Sequence, residues 1–211
     1  MDFKIQMVKA IQDGDLAHFK NVLGSQMSWD EYIKMLNNKF NSTKQYHYAR
    51  LEKTDPRWVE NINGDRLDII VYNKLDPMIS AVYQKDENLN INSISSIENF
   101  LSELSIKDYT MKCLSNFVGP EAGYYIHKDD NDVFSFQVNG KVEYRIYGKD
   151  FPEYLTPQNK TDIPYKSYIL EEGDIVFLPK GVYHQVVVLE PRITLISDFF
   201  DNLSDILFIN Q

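Results

Sequence analysis

Apolar residues in the first part of the chain recur at the spacing of an α-helix. Ile5, Val8 and Ile11 lie three residues apart, and Gly14 interrupts the series. The apolar residues in 16–24 resume the same spacing before the next glycine. Because residues three or four apart share one face of a helix, both segments are predicted to be helical and to pack on a neighbouring layer.

Two capping-box patterns predict further helix starts. Ser28 is followed three residues later by Glu31, and Ser95 is followed at the same spacing by Glu98. In such a pair the first side chain accepts a bond from the backbone N–H of the acidic residue, and the acidic side chain returns a bond to the first backbone N–H. Helices are therefore predicted to open at Ser28 and at Ser95.

The pattern changes after residue 108, where turn signals separate short apolar runs about ten residues apart. Asn139-Gly140 lies between two runs that are rich in β-branched and aromatic residues, which predicts a hairpin. Many short strands at such spacing are typical of a sandwich or a barrel. The predicted fold is therefore mainly β, with helices at the N-terminal side.

These patterns divide the chain into three parts. Residues 1–108 are predicted to form a helical or mixed support that packs on the barrel, with one strand at 67–72. Residues 109–199 are predicted to form the barrel, and the stretch 149–165, with its three prolines, a long connection within it. Residues 200–211 are predicted to form a short C-terminal arm, whose apolar side chains would allow a homodimer.

Composition narrows the range of partners. The length of 211 residues suits one domain, and a hydrophobic content of 43% is enough for a full core. The formal net charge is −9, without a long basic run. Because a phosphate backbone needs a surface rich in Lys and Arg, nucleic acid is not expected as a partner. An acidic surface would instead attract a basic protein or peptide.

The sequence favours a reducing cytoplasm. Cys113 is the single cysteine, so no intrachain disulfide can form. Residues 1–6 carry charges where a signal peptide needs an apolar run, and no run approaches the roughly 18 apolar residues that span a bilayer. We therefore expect neither a signal peptide nor a membrane partner.

Three residues that are distant in sequence could hold a metal ion. His127 and Asp129 follow an aromatic run, and His184 lies 57 residues after His127. Residues i and i+2 of a strand share a face, so the first two can point into the mouth of a barrel, and His184 can join them from a later strand. Two imidazoles and one carboxylate can occupy one face of an octahedral Fe(II) and leave the opposite face open. Taken separately, the first pair also fits an exposed turn, and His184 also fits a hydrogen-bonded core histidine.

Longer motifs around these residues resemble a known family. The segment 127–147 contains H-x-D, D-V-F and Q-x-x-G in that order, and the segment 170–186 contains L-x-x-G-D-x-x-x-x-P-x-G-x-x-H. Between residues 111 and 199 the chain is similar to the Jumonji-C group of cupin-fold oxygenases, and nearest to its bacterial and nucleolar ribosomal-oxygenase branch. The resemblance implies a double-stranded β-helix, the jelly-roll barrel of the cupins.

The resemblance also implies a reaction. Fe(II) would be held by His127, Asp129 and His184 and would bind 2-oxoglutarate and O2 at its open positions. Oxidative decarboxylation of 2-oxoglutarate to succinate and CO2 would drive hydroxylation of a C–H bond. The implied substrate is a peptide, a protein side chain or an amino-acid-derived small molecule, since a chain of this length is not expected to include the C-terminal parts of ribosome-modifying relatives.

One position departs from the family pattern. The family usually has Lys or Arg two residues after the glycine of Q-x-x-G, where the cation pairs with the distal carboxylate of 2-oxoglutarate, whereas this chain has Val142. A buried dicarboxylate needs a counter-charge or several hydrogen bonds. Arg192 is the first candidate for that charge, with Thr194 on the same strand face. Lys141 and Arg145 are the other candidates, although their alternation with Val142 predicts that they face outward.

Two further residues are candidates for the co-substrate pocket. Tyr124 lies three residues before His127, where relatives place a hydroxyl on the co-substrate, and it also fits a packed barrel aromatic. Asn116 is the second candidate for the lining of the same pocket.

Two other functions stay open at this point. Val142 is compatible with a cupin-type metal enzyme that does not use 2-oxoglutarate and whose substrate itself chelates the metal. A non-catalytic cupin module that binds a sugar or an effector would keep the barrel without needing the metal-binding residues.

Overall fold

The computed structural model of the protein describes residues 3–40, 46–50, 57–62, 78–83, 90–117, 124–151 and 163–199. Within these ranges the helices are α1 (Phe3–Asp13), α2 (Trp29–Phe40) and α3 (Asn92–Glu103). The strands are β1 (Ala17–Phe19), β2 (Tyr46–Arg50), β3 (Arg57–Ile62), β4 (Met78–Tyr83), β5 (Tyr109–Asn116), β6 (Tyr124–His127), β7 (Val133–Asn139), β8 (Val142–Gly148), β9 (Lys166–Leu170), β10 (Ile175–Leu178), β11 (Tyr183–Val188) and β12 (Arg192–Phe199).

Strands β5 to β12 wind into a double-stranded β-helix. The larger sheet has the order β1-β10-β7-β12-β5-β4-β2-β3, and the smaller sheet has the order β6-β11-β8-β9. The pairings in both sheets are antiparallel, and strands β1 to β4 extend the larger sheet at its two edges. This topology confirms the predicted mainly β, cupin-like jelly roll.

The larger sheet contributes to two apolar cores. On its outer face, Leu195 of β12 packs in one cluster with Met7 of α1 and Ile97 of α3. Its inner face and the smaller sheet enclose a second cluster that includes Tyr144 and Val186. Successive residues of a strand point to opposite faces of the sheet, so each central strand of the larger sheet contributes side chains to both clusters. The side chains on its inner face point into the barrel.

The prediction of a helix across 16–24 is wrong. Ala17–Phe19 form β1, which pairs with β10 at the edge of the larger sheet. His18 Nε2 lies 3.0 Å from Asp174 Oδ2, and the carbonyl oxygen of Gly173 accepts two backbone bonds from the segment after β1. Long-range pairing with the barrel therefore overrides the local helical spacing.

One of the two predicted helix starts is confirmed. Ser28 N–H donates to Glu31 Oε2 at 2.8 Å, and Glu31 N–H donates to Ser28 Oγ at 3.2 Å, at the start of α2. The predicted start at Ser95 is wrong because α3 already begins at Asn92. Ser95 N–H donates to the carbonyl oxygen of Ile91 at 3.1 Å, so Ser95 already lies in the first turn of the helix. Because Ile91 is buried, the helix begins before the Ser95–Glu98 capping-box pattern.

Asn139-Gly140 does not form the predicted hairpin. β7 pairs with β10 and β12 in the larger sheet, whereas β8 pairs with β9 and β11 in the smaller sheet. The turn therefore carries the chain from one sheet to the other. Gly140 has a φ of +71°, and a Cβ atom there would lie 1.9 Å from the carbonyl oxygen of Pro191. Both the backbone conformation and the close approach require glycine.

Several predicted segments lie outside the described residues: the strand at 67–72, most of the connection at 149–165, and the arm at 200–211. The boundary between a support at 1–108 and the barrel stays a prediction. Among the helices that the structure describes, none combines the length and the apolar character needed to cross a membrane.

Replacing Gly140 with alanine is predicted to destabilise the protein strongly. The added methyl group would meet the backbone of Pro191, and alanine disfavours a positive φ. We expect the free energy of unfolding, measured by urea denaturation, to fall by about 2–4 kcal/mol.

Gly148 offers a matched control for this prediction. Its φ is +88°, but an added Cβ atom meets nothing within 4 Å. Gly148→Ala should therefore lose only the conformational contribution, about 1–2 kcal/mol. Equal losses for the two variants would contradict the role given to the contact with Pro191.

Candidate functional site

His127, Asp129 and His184, hereafter the triad, come together at one end of the barrel. β6 and β11 pair in a register that sets His127 opposite His184, and the two ring centroids are 4.2 Å apart. Asp129 lies in the loop after β6, with Oδ1 3.8 Å from His127 Nε2 and Oδ2 3.7 Å from His184 Nε2. Ligand atoms of the three residues all lie within 4.8 Å of one another.

Local backbone bonds fix this geometry. Gly181 N–H donates to the carbonyl oxygen of Asp129 at 3.0 Å and ties the turn before β11 to the loop after β6. His184 is buried, and its Nδ1 lies 3.0 Å from the carbonyl oxygen of Val182. Because a carbonyl oxygen only accepts, Nδ1 carries the proton and Nε2 keeps its lone pair for the triad.

The chemistry of these donor atoms fits a divalent transition metal. Imidazole nitrogens suit iron, zinc, copper and nickel, and a carboxylate oxygen is a common ligand of Fe(II). Two histidines and one carboxylate on one side of a six-coordinate ion leave the other positions for exchangeable ligands, which is typical of non-haem Fe(II) oxygenases.

A second carboxylate acts on the triad electrostatically. Burial raises the pKa of the Asp129 carboxyl above its usual range, and His184 opposes this shift. Asp198 raises the same pKa further, whereas Lys112 lowers it. Lys112 Nζ and Asp198 Oδ2 form an ion pair across β5 and β12. Sequence reasoning missed this pair because 86 residues separate its members.

A hydrogen-bonded polar group lies deeper in the barrel, on the inner face of the larger sheet. Arg192 is fully buried, and its Nε donates to Asn116 Oδ1 at 2.8 Å while its Nη1 donates to Thr194 Oγ1 at 3.0 Å. The Thr194 hydroxyl donates to Gln137 Oε1 at 2.8 Å. Three predicted co-substrate residues thus lie together. Gln137 was not predicted, although its place in the Q-x-x-G motif was a signal.

Tyr144 lies between this polar group and the triad. Its ring is nearly parallel to that of His184, at 21° with centroids 6.2 Å apart, and its hydroxyl oxygen lies 2.5 Å from Ser135 Oγ. Burial raises the pKa of Tyr144, Arg192 lowers it, and Asp129 raises it. A side chain that responds to both the cation and the carboxylate lies within electrostatic reach of both.

Two candidate cations lie on the outside of the barrel. Lys141 Nζ forms an ion pair with Glu171 Oε1 at 2.6 Å, and Arg145 Nη2 forms one with Glu143 Oε2 at 2.9 Å. Alternation along β8 sends Arg145 outward, and Lys141, which directly precedes β8, pairs with the exposed Glu171, so both point outward as predicted. Lys141 therefore does not join the buried group around Arg192, and its proposed contact with the co-substrate is unsupported.

Val142 and Tyr124 complete the set of predicted positions. Val142 is fully buried and belongs to the inner apolar cluster with Tyr144, so the family's cation position is apolar here. The backbone of Tyr124 lies in β6, but its side chain is outside the described residues, so its role stays a prediction.

Comparison with known proteins gives matches over parts of the sequence. Residues 91–203 match the family model described as the JmjC domain. The bifunctional lysine-specific demethylase and histidyl-hydroxylase NO66 of Dictyostelium discoideum is 38% identical over 73 residues, which are 31% of this chain and 14% of the relative. NO66 of Drosophila persimilis is 31% identical over 124 residues, which are 54% of this chain and 18% of the relative. The matches therefore span less than a fifth of either relative.

Solved structures of Escherichia coli YcfD are similar over nearly the whole chain. One superposes with a TM-score of 0.69 and 17% identity, covering 95% of this chain and 53% of YcfD. Another, described as a ribosomal oxygenase in complex with cobalt and 2-oxoglutarate, has a TM-score of 0.65 with 17% identity and covers 95% of this chain and 52% of YcfD. At this level of identity the likeness concerns the fold, and it supports the double-stranded β-helix.

The family match extends over more than half of the 211 residues. The relatives named above are of the kind that the sequence motifs indicated, so the resemblance drawn from 127–147 and 170–186 is confirmed. This chain belongs to the JmjC domain family.

Proposed function

We propose that the protein is an Fe(II)- and 2-oxoglutarate-dependent oxygenase that hydroxylates a C–H bond of a peptide, a protein side chain or an amino-acid-derived molecule. The observation that carries the proposal is the convergence of the triad, with its ligand atoms within 4.8 Å of one another at one end of the barrel. The fully buried Arg192 on the inner surface behind it supports a bound anion.

The triad residues would hold the metal through His127 Nε2, His184 Nε2 and an Asp129 oxygen. With 2-oxoglutarate and O2, bound Fe(II) supplies an oxidant able to remove hydrogen from a C–H bond, and succinate and CO2 are released. The protein's contribution is to hold its three ligands on one side and to keep the surrounding space shaped and dry. Burial of His184 and its bond to Val182 serve both purposes.

Arg192 is suited to the distal carboxylate of a dicarboxylate. Burial lowers the pKa of its guanidinium, while Tyr144 and Cys113 raise it. Two of its nitrogens are oriented by the neutral oxygens of Asn116 and Thr194. A carboxylate beside the guanidinium would bring an opposite charge into a low-dielectric site and would form charge-assisted hydrogen bonds.

The proposed anchor lies on a different strand from that of the family pattern. The family cation would stand at Val142 on β8, in the smaller sheet, whereas Arg192 stands at the start of β12 in the larger sheet. Both positions are buried in the barrel, so a cation on either strand can pair with a carboxylate bound in the barrel interior. The apolar Val142 at the family's cation position and the buried guanidinium of Arg192 on the other sheet support a relocated anchor.

A cavity beside strands β8 and β9 is a candidate entry for the substrate. Ile146, the register partner of His184, lines a cavity of about 650 Å³ together with Tyr147, Tyr165 and Tyr168. Cavities of about 300–1,000 Å³ accept small molecules, and aromatic walls suit a side chain that is partly apolar. The relatives named histidyl-hydroxylase and ribosomal oxygenase support a peptide or protein substrate.

The partners and the compartment belong to the same proposal. The net charge of −9 favours a basic peptide over nucleic acid. Cys113 is buried and is not part of a disulfide, which is consistent with a reducing cytoplasm. A homodimer through the arm at 200–211 stays a prediction.

Val142 favours a second candidate function. A metal enzyme whose substrate chelates the ion directly would have no need of a cation on β8. Isothermal titration of the metal-loaded protein with 2-oxoglutarate separates the two candidates, since tight binding that depends on the metal would exclude the second one.

The main test uses the protein with Fe(II) and 2-oxoglutarate under anaerobic conditions. We expect a visible charge-transfer absorption band and, after admission of O2 with a basic substrate peptide, stoichiometric succinate. Absence of the band, together with absence of succinate for every peptide and amino acid tried, would rule the proposal out.

Asp129→Ala is predicted to remove tight metal binding without unfolding the protein. One of three protein ligands is lost, whereas the backbone bond from Gly181 to residue 129 does not need the side chain. We expect the dissociation constant for Co(II), measured by titration, to rise at least about a hundredfold. Asp130→Ala removes an exposed carboxylate one residue away and should leave Co(II) affinity nearly unchanged. Similar affinities for the two variants would contradict the assignment of Asp129.

Arg192→Met is predicted to weaken 2-oxoglutarate binding while sparing the metal. Loss of the charge-assisted bonds should raise the dissociation constant for 2-oxoglutarate on the Co(II)-loaded protein at least about a hundredfold. Arg145→Met, which removes a guanidinium paired with Glu143 outside the barrel, is the matched control. Equal 2-oxoglutarate affinity in both variants would show that Arg192 is not the anchor.

A further inference from the structure

Lys112 and Asp198 form an ion pair at the end of the barrel that carries the triad. Asp198 and Arg192 both belong to β12, and their even spacing puts them on the same inward face at opposite ends of the strand. Lys112 approaches from the neighbouring strand β5, and its Nζ contacts Asp198 Oδ2. The side chain of Asp198 is only 14% exposed, whereas that of Lys112 is 41% exposed.

The end of β12 is bonded to the loop that carries Asp129. Phe199 N–H donates to the carbonyl oxygen of Asp132 at 3.2 Å. Asp198 is therefore one residue from a direct backbone link to the loop that supplies the triad carboxylate. The opposite influences of Asp198 and Lys112 on the pKa of Asp129 agree with this proximity.

A second carboxylate at this place is a potential metal ligand. Carboxylates bind Fe(II) and Co(II) readily, so a carboxylate that reached the ion would take one of the positions that 2-oxoglutarate and O2 need. Two carboxylates that share a site also repel each other unless a cation lies between or beside them. Lys112 is the cation that contacts Asp198.

We propose that Lys112 restrains Asp198, so that a second carboxylate stays off the metal and the triad keeps its remaining positions open. The part of this inference that concerns 2-oxoglutarate rests on the proposed function. The part that concerns the number of carboxylates on the metal does not, because it depends only on the triad and on this ion pair.

The test compares Co(II) binding by the 211-residue wild-type protein, Lys112→Met, Asp198→Asn and the double variant. In Lys112→Met we expect Asp198 to join the metal, with Co(II) affinity about tenfold higher because one more anionic ligand is available. The visible absorption bands of Co(II) should shift with the changed ligand set. Affinity of the Co(II)-loaded variant for 2-oxoglutarate should fall at least about tenfold because a position is filled.

The double variant Lys112→Met/Asp198→Asn distinguishes restraint of Asp198 by Lys112 from a direct contact between Lys112 and 2-oxoglutarate. It removes the carboxylate that Lys112 holds, so we expect Co(II) affinity, absorption bands and 2-oxoglutarate affinity to return to near wild-type values. Asp198→Asn alone should also retain 2-oxoglutarate binding. Lys128→Met is the matched control. Lys128 lies between two triad residues in sequence, but its Nζ lies over the Tyr183 ring, 5.0 Å from its centroid. This variant should therefore leave the three measured quantities near their wild-type values.

Two results would overturn the inference. Unchanged Co(II) affinity and absorption in Lys112→Met would show that Asp198 does not reach the metal when released. Weak 2-oxoglutarate binding that persists in the double variant would show that Lys112 contacts the co-substrate itself. If the wild-type protein binds no 2-oxoglutarate, the proposed function fails, whereas Co(II) affinity and absorption still decide whether Lys112 restrains Asp198.

Discussion

The pairing of β6 with β11 is the constraint on which the site depends. It sets His127 directly opposite His184 on one face of the smaller sheet. Because side chains alternate along a strand, a shift of one residue in the pairing register would turn one imidazole to the other face of the sheet. The three triad side chains would then no longer meet. The bond from Gly181 N–H to the carbonyl oxygen of Asp129 joins the neighbouring loops in the same register. Metal binding therefore depends on the register of this strand pair as well as on the three side chains.

The interior of the barrel combines polar and apolar residues in a definite order. The triad lies at one end, Tyr144 with Ser135 follows, and Arg192 with its hydrogen-bonded neighbours lies deeper. The polar side chains are satisfied by one another rather than scattered, which is the condition for burying them in a core. The apolar residues around them, including Val142, exclude water from the same space.

The sequence predicted those parts of the structure that depend on local patterns. The order of motifs around His127 and His184 predicted the fold, and the alternation of Lys141 with Val142 predicted that Lys141 would point outward. The helix across 16–24 failed because pairing with β10 overrode the local spacing, and the Asn139-Gly140 hairpin failed because a turn motif does not specify which strand its neighbours pair with. Contacts between distant segments, such as Lys112 with Asp198, leave no local signal at all.

The placement of the triad and of Arg192 on different sheets has a mechanical consequence. The histidines of the triad belong to the smaller sheet, whereas Arg192 belongs to the larger one, and between these groups the two sheets meet through side-chain packing. A small dianion that contacted both a metal at the triad and Arg192 would link the smaller sheet to the larger one. Its binding would then be linked to the stability of the whole jelly roll, because a ligand that binds only the folded state stabilises that state by an amount that grows with the logarithm of its concentration above Kd.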